Sequence, residues 1–393
     1  MPIAESSGYR LITDQASLNS LCDTLGQCDA IAIDTEFVRT RTLLPQLGLI
    51  QINDGQSTWL IDPLDIDDLK PLADVLSNAD VVKVLHACSE DLEVFLSHLG
   101  VAPAPIFDTQ FAANLLDMGP TLGYSKLVEI ECEVEIDKGE SRTDWLARPL
   151  SSKQLEYAAN DVIYLYQIYS QLSQRIQAKG WTTLVYQELA SLAEKKAAQF
   201  PDEYAYLLIG NVWKLNQTQR FVLKRLASWR LKLARERDIA INFIVKEQHM
   251  LNVAMRLPRS KTQLNAMNTL LPQEIRKHGD ALIDIVNSSL SLVDQNPSVC
   301  EVPKIIRLTD KPGYKQTLAK LKTLCQEIAQ QQGLGEHLIA SKKQLNQLLK
   351  WWWFELDETA LQGLLPDLLS GWRKSLFQAP LIELLGQPIR EIT

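Results

Sequence analysis

The chain has 393 residues, 46% of them hydrophobic and 22% charged, with a formal net charge of −8. That length exceeds what one core sustains, so two or three domains are expected, and no apolar run of about 18 residues offers a membrane span. The six cysteines are scattered without a Cys-x-x-Cys pair, which argues against a zinc site or a disulfide framework.

The N-terminus lacks a basic region followed by an apolar stretch, so a cytoplasmic protein is expected. Charge is unevenly divided. Residues 1–200 carry 14 Lys and Arg against 29 Asp and Glu, a net of −15, whereas residues 201–293 carry 14 against 8, a net of +6. An acidic unit followed by a basic one suits a protein that handles a polyanion, through local cations in the first and its own positive surface in the second.

Tyr9 to Thr13 reads as a strand, followed by a helix with Asp14 or Ser17 as N-cap ahead of Leu18, Leu21, Cys22 and Leu25. Ala30 to Ile33 then run straight into Asp34 and Glu36, the pattern of a buried central strand whose end opens into a site. Residues two apart on a strand share a face, so these two acids converge. Carboxylates about 4 Å apart repel by roughly 4 kcal/mol at an effective dielectric of about 20, unless a proton or a cation lies between them. Oxygen ligands of this kind suit Mg²⁺ or Mn²⁺.

Leu47 to Asn53 and Thr58 to Ile61, joined across Asp54-Gly55, read as a hairpin. Pro63 to Ser77 reads as helical, Val81 to His86 as a buried strand, and Cys88 to Gly100 as a helix with Asp91 in its first turn. Ligands of open α/β sheets gather at such strand ends. A short strand at Ile106 to Asp108 and helices at Thr109 to Met118, Leu122 to Ile130 and Ser152 to Ile176 complete a mixed α/β sheet covered by helices. In the last helix Tyr157 and Asp161 are four apart and share a face. Asp161 lies among Leu155, Ala158, Val162 and Leu165, where a carboxylate needs a partner.

Three segments, IAIDTEFVRT, VLHACSEDLEVF and YAANDVIYLY, with FDTQFAANLL ahead of the third, resemble in content and order the DEDD superfamily of 3′-5′ exonucleases. The tyrosine of the third motif resembles the tyrosine subgroup, and within it the ribonuclease D family. The resemblance covers roughly the first 170 residues and implies a ribonuclease H-like mixed-sheet exonuclease domain, expected over residues 1–200. It implies that Asp34, Glu36, Asp91 and Asp161 hold two divalent cations, with Asp34 bridging, Glu36 and Asp161 on the first, and Asp91 reaching the second through water. Two cations suit in-line attack on a phosphodiester because charge builds on both the entering and the leaving oxygen. Tyr157, a phenol with an ordinary pKa near 10, is then a hydroxyl that orients the attacking water rather than a base. Release of 5′-mononucleotides from a 3′ hydroxyl end is expected.

Around this set, Arg39 and Arg41 are expected at phosphate, and Gln46, Gln51 and Asp108 to line or brace the site. His86 is expected to be structural or at most lining. Trp145, in the polar segment Lys138 to Arg148, is expected to stack on a base or to anchor its loop.

Trp181 to Phe200 reads as a helix and Pro201 to Asn216 as a linker. Asn216 and Gln219 make a capping-box start to a helix from Gln217 to Arg237, in which Phe221, Leu223, Leu226, Trp229 and Leu233 interleave with basic residues. With INFIVKEQHMLNVAMRLP and Arg276-Lys277-His278-Gly279, this stretch resembles the helicase-and-ribonuclease-D C-terminal (HRDC) domain, expected over residues 211–293. Arg230, Arg235 and Lys277 are its expected nucleic-acid contacts, by charge rather than base readout. No Gly-x-x-x-x-Gly-Lys-Ser/Thr loop is present, which excludes a helicase.

Residues 294–393 are expected to form a second, divergent helical bundle of the same kind, giving an α/β plus all-α architecture. Of Trp351, Trp352 and Trp353, at least one is a candidate stacking surface for single-stranded RNA, the rest core or interdomain packing. The expected protein is a monomeric 3′-exoribonuclease trimming transfer RNA precursors with 3′ extensions and other structured RNA. The alternatives are an inactive nucleic-acid-binding adaptor, which the complete acid set opposes, and a DNA 3′-5′ exonuclease, for which no polymerase region is present.

Overall fold

The apolar run that opens β2 (Ala30–Val38) is buried because it lies between two strands and under helices on both faces. In the computed structural model, which describes residues 8–136 and 139–392, β2 pairs antiparallel with β3 (Gln46–Asn53), and β3 pairs antiparallel with β4 (Thr58–Ile61). On its other side β2 runs parallel to β5 (Val82–Leu85), and β5 to β6 (Ile106–Asp108). With β1 (Arg10–Ile12) parallel to β4 at the edge, the order is β1-β4-β3-β2-β5-β6. The hairpin turns where Asp54-Gly55 predicts. Gly55 takes φ +91°, and Asp54 Oδ1 accepts from the N–H groups of Gln56 and Ser57, each at 2.8 Å.

Helix α1 (Gln15–Leu25) starts at Asp14, whose Oδ1 accepts from Ser17 N at 2.9 Å. Helix α2 (Lys70–Ser77) is shorter than the expected Pro63 to Ser77. Asp62 Oδ1 takes the Leu64 N–H and Asp68 Oδ1 the Lys70 N–H, local turns that compete with a helical ladder. Then follow α3 (Ser89–His98), α4 (Thr109–Leu115), α5 (Tyr124–Cys132), α6 (Ser152–Ala178) and α7 (Thr182–Ala197). The long α6 begins with a full capping box between Ser151 and Gln154 and crosses β2, β3 and β4.

The stretch expected as a linker is folded. Residues 202–208 and 212–214 form short 3₁₀ helices that put Ala205, Tyr206, Ile209, Val212 and Leu215 into a second core. Their spacing of three or four supplies one apolar face to bury. That core is closed by α8 (Gln217–Arg237), α9 (Ile241–Ile244), α10 (Glu247–Arg256), α11 (Lys261–Ala266) and α12 (Pro272–Gln295). A third core gathers α13 (Tyr314–Gln332), α14 (Glu336–Ile339), α15 (Lys342–Trp353), α16 (Glu358–Leu361) and α17 (Arg373–Leu385). Trp351 and Trp352 are buried in it, which overturns them as stacking surfaces, whereas Trp353 packs only partly buried against it. Among the described residues no helix is long and apolar enough to cross a membrane.

Both helical units dock on the first. The loop after β2 is fastened to the corner between α8 and α9. Ala240 N donates to Arg41 O at 2.8 Å, Leu44 N donates to Asp238 Oδ1 at 2.9 Å, and Leu43 packs against the second core. The third unit holds α7 through Trp372 Nε1 to Glu188 at 2.7 Å and Lys195 to Asp367 at 2.8 Å. His337 Nε2 also lies 2.7 Å from Asn114 Oδ1 at the end of α4.

Candidate active site

The alternation of β2 puts Asp34 and Glu36 on the face that α6 covers, and the helical period of α6 brings Tyr157 and Asp161 over them. Regular pairing with β3 ends here. Glu36 pairs with Leu49 and Phe37 with Leu47, which leaves Gly48 as the extra residue of a bulge. A Cβ on Gly48 would lie 2.6 Å from Trp145 O, so only glycine admits the loop at this depth. Arg148 clamps the same loop, donating to Gly48 O at 2.7 Å and pairing with Asp62 through two N–H groups at 2.5 and 2.7 Å.

Asp34, Glu36 and Asp161 each place a carboxylate oxygen within 4.8 Å of the others. Asp91, from the first turn of α3, stands outside that set and accepts a short hydrogen bond from the Thr35 hydroxyl. Burial, then Asp91, Asp161 and Glu36 in turn, raises Asp34 well above the carboxylate range. Burial followed by Asp161 and Asp91 pushes Glu36 up to about 9. Burial pushes Asp161 up to about 7 against the pull of the Tyr157 hydroxyl, and Asp91 up to about 6 against that of Thr35. Among the described residues, none of the groups that shift these acids is a Lys or Arg. A donor set made only of oxygens, too close to ionise together, fits a hard divalent cation.

Tyr157 faces Asp161, and burial together with the nearby acids drives its phenol upward, so it keeps its proton. Its ring lies 6.1 Å from that of Trp145. Trp145 is 1% exposed and anchors the loop against Gly48; the alternative of stacking on a base is therefore overturned by burial. Lys138, in the same segment, lies outside the described residues. Arg39 is engaged with Glu93 at 2.6 Å and Leu43 O at 2.9 Å and braces the loop after β2, whereas Arg41 is exposed.

Arg230 is 8% exposed and donates to Val245 O at 2.9 Å. It holds the second core together, which corrects its assignment as a nucleic-acid contact. Arg235 pairs with Asp202 and donates to Phe200 O at 2.9 Å, while Lys277 is exposed. His86 Nδ1 lies 2.9 Å from Thr109 Oγ1, and burial lowers its pKa, so it is a neutral structural group. Asp108 braces the site from below, accepting from Cys88 N at 2.9 Å and Phe111 N at 3.0 Å. Gln46 is exposed and Gln51 fully buried.

Two residues escaped the sequence reading. Thr35 sits inside the motif but acts across the sheet on Asp91. Tyr124 donates to Asn160 O at 3.0 Å and has its pKa raised by burial, Asp161 and Asp34, which sets it at the edge of the cluster. Neither carries a local signal, because each acts on a partner distant in sequence.

A mixed sheet that gathers these acids beneath a tyrosine-bearing helix defines a 3′-5′ exonuclease of the DEDD kind, and a family described as 3′-5′ exonuclease matches residues 9–177. The HRDC domain family matches residues 219–286, and the ribonuclease D C-terminal HRDC domain matches residues 312–381. Ribonuclease D of Serratia proteamaculans is 43% identical over 96% of this chain and 99% of its own length. That of Escherichia coli is 42% identical over 96% and 99%. The crystal structure of Escherichia coli RNase D, described as an exoribonuclease involved in structured RNA processing, superposes with a TM-score of 0.89 at 41% identity, covering 96% of this chain and 98% of that one. The chain belongs to the ribonuclease D family and is a 3′-5′ exoribonuclease.

Proposed function

We propose that Asp34, Glu36, Asp161 and Asp91 would hold two divalent cations, Mg²⁺ or Mn²⁺. The observation that carries this reading is the convergence of Asp34, Glu36 and Asp161, whose mutual repulsion raises Asp34 and which a cation would relieve. Such cations would neutralise charge on the attacked phosphate and make a bound water more acidic. Tyr157, protonated at neutral pH, orients that water through its hydroxyl. Thr35 holds Asp91, and Trp145 backs the tyrosine ring.

The substrate is structured RNA with a 3′ extension, transfer RNA precursors in particular, cut one 5′-mononucleotide at a time by a monomer in the cytoplasm. Residues 1–200 carry the chemistry, and the helical units at 211–293 and 294–393 hold RNA, with Arg41 and Lys277 exposed for phosphate. The test is incubation of the purified protein with 3′-extended transfer RNA and with matched single-stranded DNA, each with Mg²⁺ and with chelator. Metal-dependent release of mononucleotides from the RNA is expected. Release from neither polymer would overturn the proposal, and equal release from both would overturn its substrate.

A further inference from the structure

Gln51 is 0% exposed, and neither its Oε1 nor its Nε2 has a hydrogen-bond partner in the structure. Burying an amide with both ends unpaired opposes folding, and no hydrogen bond among the described residues compensates. The β2–β3 register sets it directly opposite Asp34. Cross-strand partners project from the same face with Cβ atoms about 4.5–5.5 Å apart, within the reach of a glutamine.

Its other neighbours on that face are accounted for. Leu49 and Leu60 are apolar and pack with Ala158 and Ala159 of α6. Asn53 is engaged, donating to Thr58 Oγ1 and accepting from Gly55 N, each at 2.8 Å. Among the side chains that the register sets around Gln51, Asp34 directly opposite and Glu36 diagonal to it are the polar ones left.

We propose that Gln51 is a positioning residue of the metal centre, its Nε2–H free in the metal-free chain and holding the Asp34 carboxylate when a cation is bound. The proposal rests on the reading of Asp34 as a metal ligand. Carboxylate ligands are held in orientation by a second hydrogen bond, and losing that partner weakens metal binding by about 10–100-fold. A neutral amide does this without adding a fifth negative charge to the four acids.

The test measures Mn²⁺ affinity, by magnetic resonance of the free ion, on the whole chain carrying Gln51→Met, Gln51→Asn or Asp34→Asn. Gln51→Met keeps the length and removes the polar atoms; Gln51→Asn keeps the amide and withdraws it by one methylene. Both are expected to weaken Mn²⁺ binding at least tenfold and to lower kcat with KM for RNA unchanged. Gln51→Met is also expected to raise the melting temperature in chelator, the opposite of what loss of a stabilising hydrogen bond does. Should Gln51→Met fail to fold, Gln51→Asn carries the same readouts. Mn²⁺ affinity at the wild-type level in the Gln51 variants, with Asp34→Asn impaired, would overturn this proposal alone. Wild-type affinity in Asp34→Asn would overturn the metal assignment and this proposal with it.

Discussion

Replacing Asp161 by Asn should stabilise the metal-free protein while abolishing cleavage. Two unit charges 4.8 Å apart, the outer spacing of the acid set, interact by about 3 kcal/mol at an effective dielectric of about 20. Asp161 faces two such partners, Asp34 and Glu36. The whole repulsion is not available as a gain, because the wild type relieves it by retaining protons, as its raised carboxylates show.

A carboxylate with a folded pKa above its unfolded one binds more protons folded than unfolded between the two values, so stability falls as pH rises through that window. With Asp161 at about 7 and Asp91 at about 6, the window runs from about 4 through neutrality, and Glu36 at about 9 extends it upward. Asp161→Asn should therefore gain on the order of 2 kcal/mol at pH 8 and much less at pH 5. At roughly 2–4 °C per kcal/mol for a unit of this size, the melting temperature in chelator rises by about 4–8 °C at pH 8. Differential scanning fluorimetry at both pH values, with and without Mg²⁺, reads the effect. In the wild type Mg²⁺ should raise the melting temperature more at pH 8 than at pH 5; in the variant this gain should shrink. A variant less stable in chelator than the wild type, or a gain of equal size at both pH values, would refute the reasoning.

Three further outcomes follow from the geometry. Gly48→Ala forces a Cβ against the Trp145 backbone and should cost about 1–3 kcal/mol in a denaturant titration, with trimming slowed because Trp145 backs Tyr157. Tyr157→Phe should leave Mn²⁺ affinity unchanged and lower kcat by about 10²-fold in single-turnover digestion; an unchanged rate would remove the hydroxyl from the mechanism. Asp238→Ala leaves the Leu44 N–H unpaired and should cost about 1 kcal/mol, seen as faster amide exchange over residues 39–45 by mass spectrometry.

The acid pair was legible because strand alternation is a two-residue rule, and the Tyr157 and Asp161 pair because a helix returns to the same face after four. The capping residues Asp14, Asn216 and Gln219 were legible for the same reason, since each acts within one turn. What escaped depends on partners far along the chain. Trp145 and Arg230 look solvent-facing in a polar segment and a basic helix until Gly48 and Val245 O are seen to enclose them. Thr35 and Asp91 are 56 residues apart, and no local pattern relates them. The residues from 201 to 216 show apolar spacing that a search for regular helices passes over, because 3₁₀ turns have a different period.

The fastening of Arg41 O and Leu44 N to the α8–α9 corner ties the second unit to the loop that leaves the acid-bearing strand. Arg41 lies five residues downstream of Glu36, in the loop that leaves the strand carrying half of the acids. Stripping away the helices would leave Leu43 bare and the loop without its two anchors.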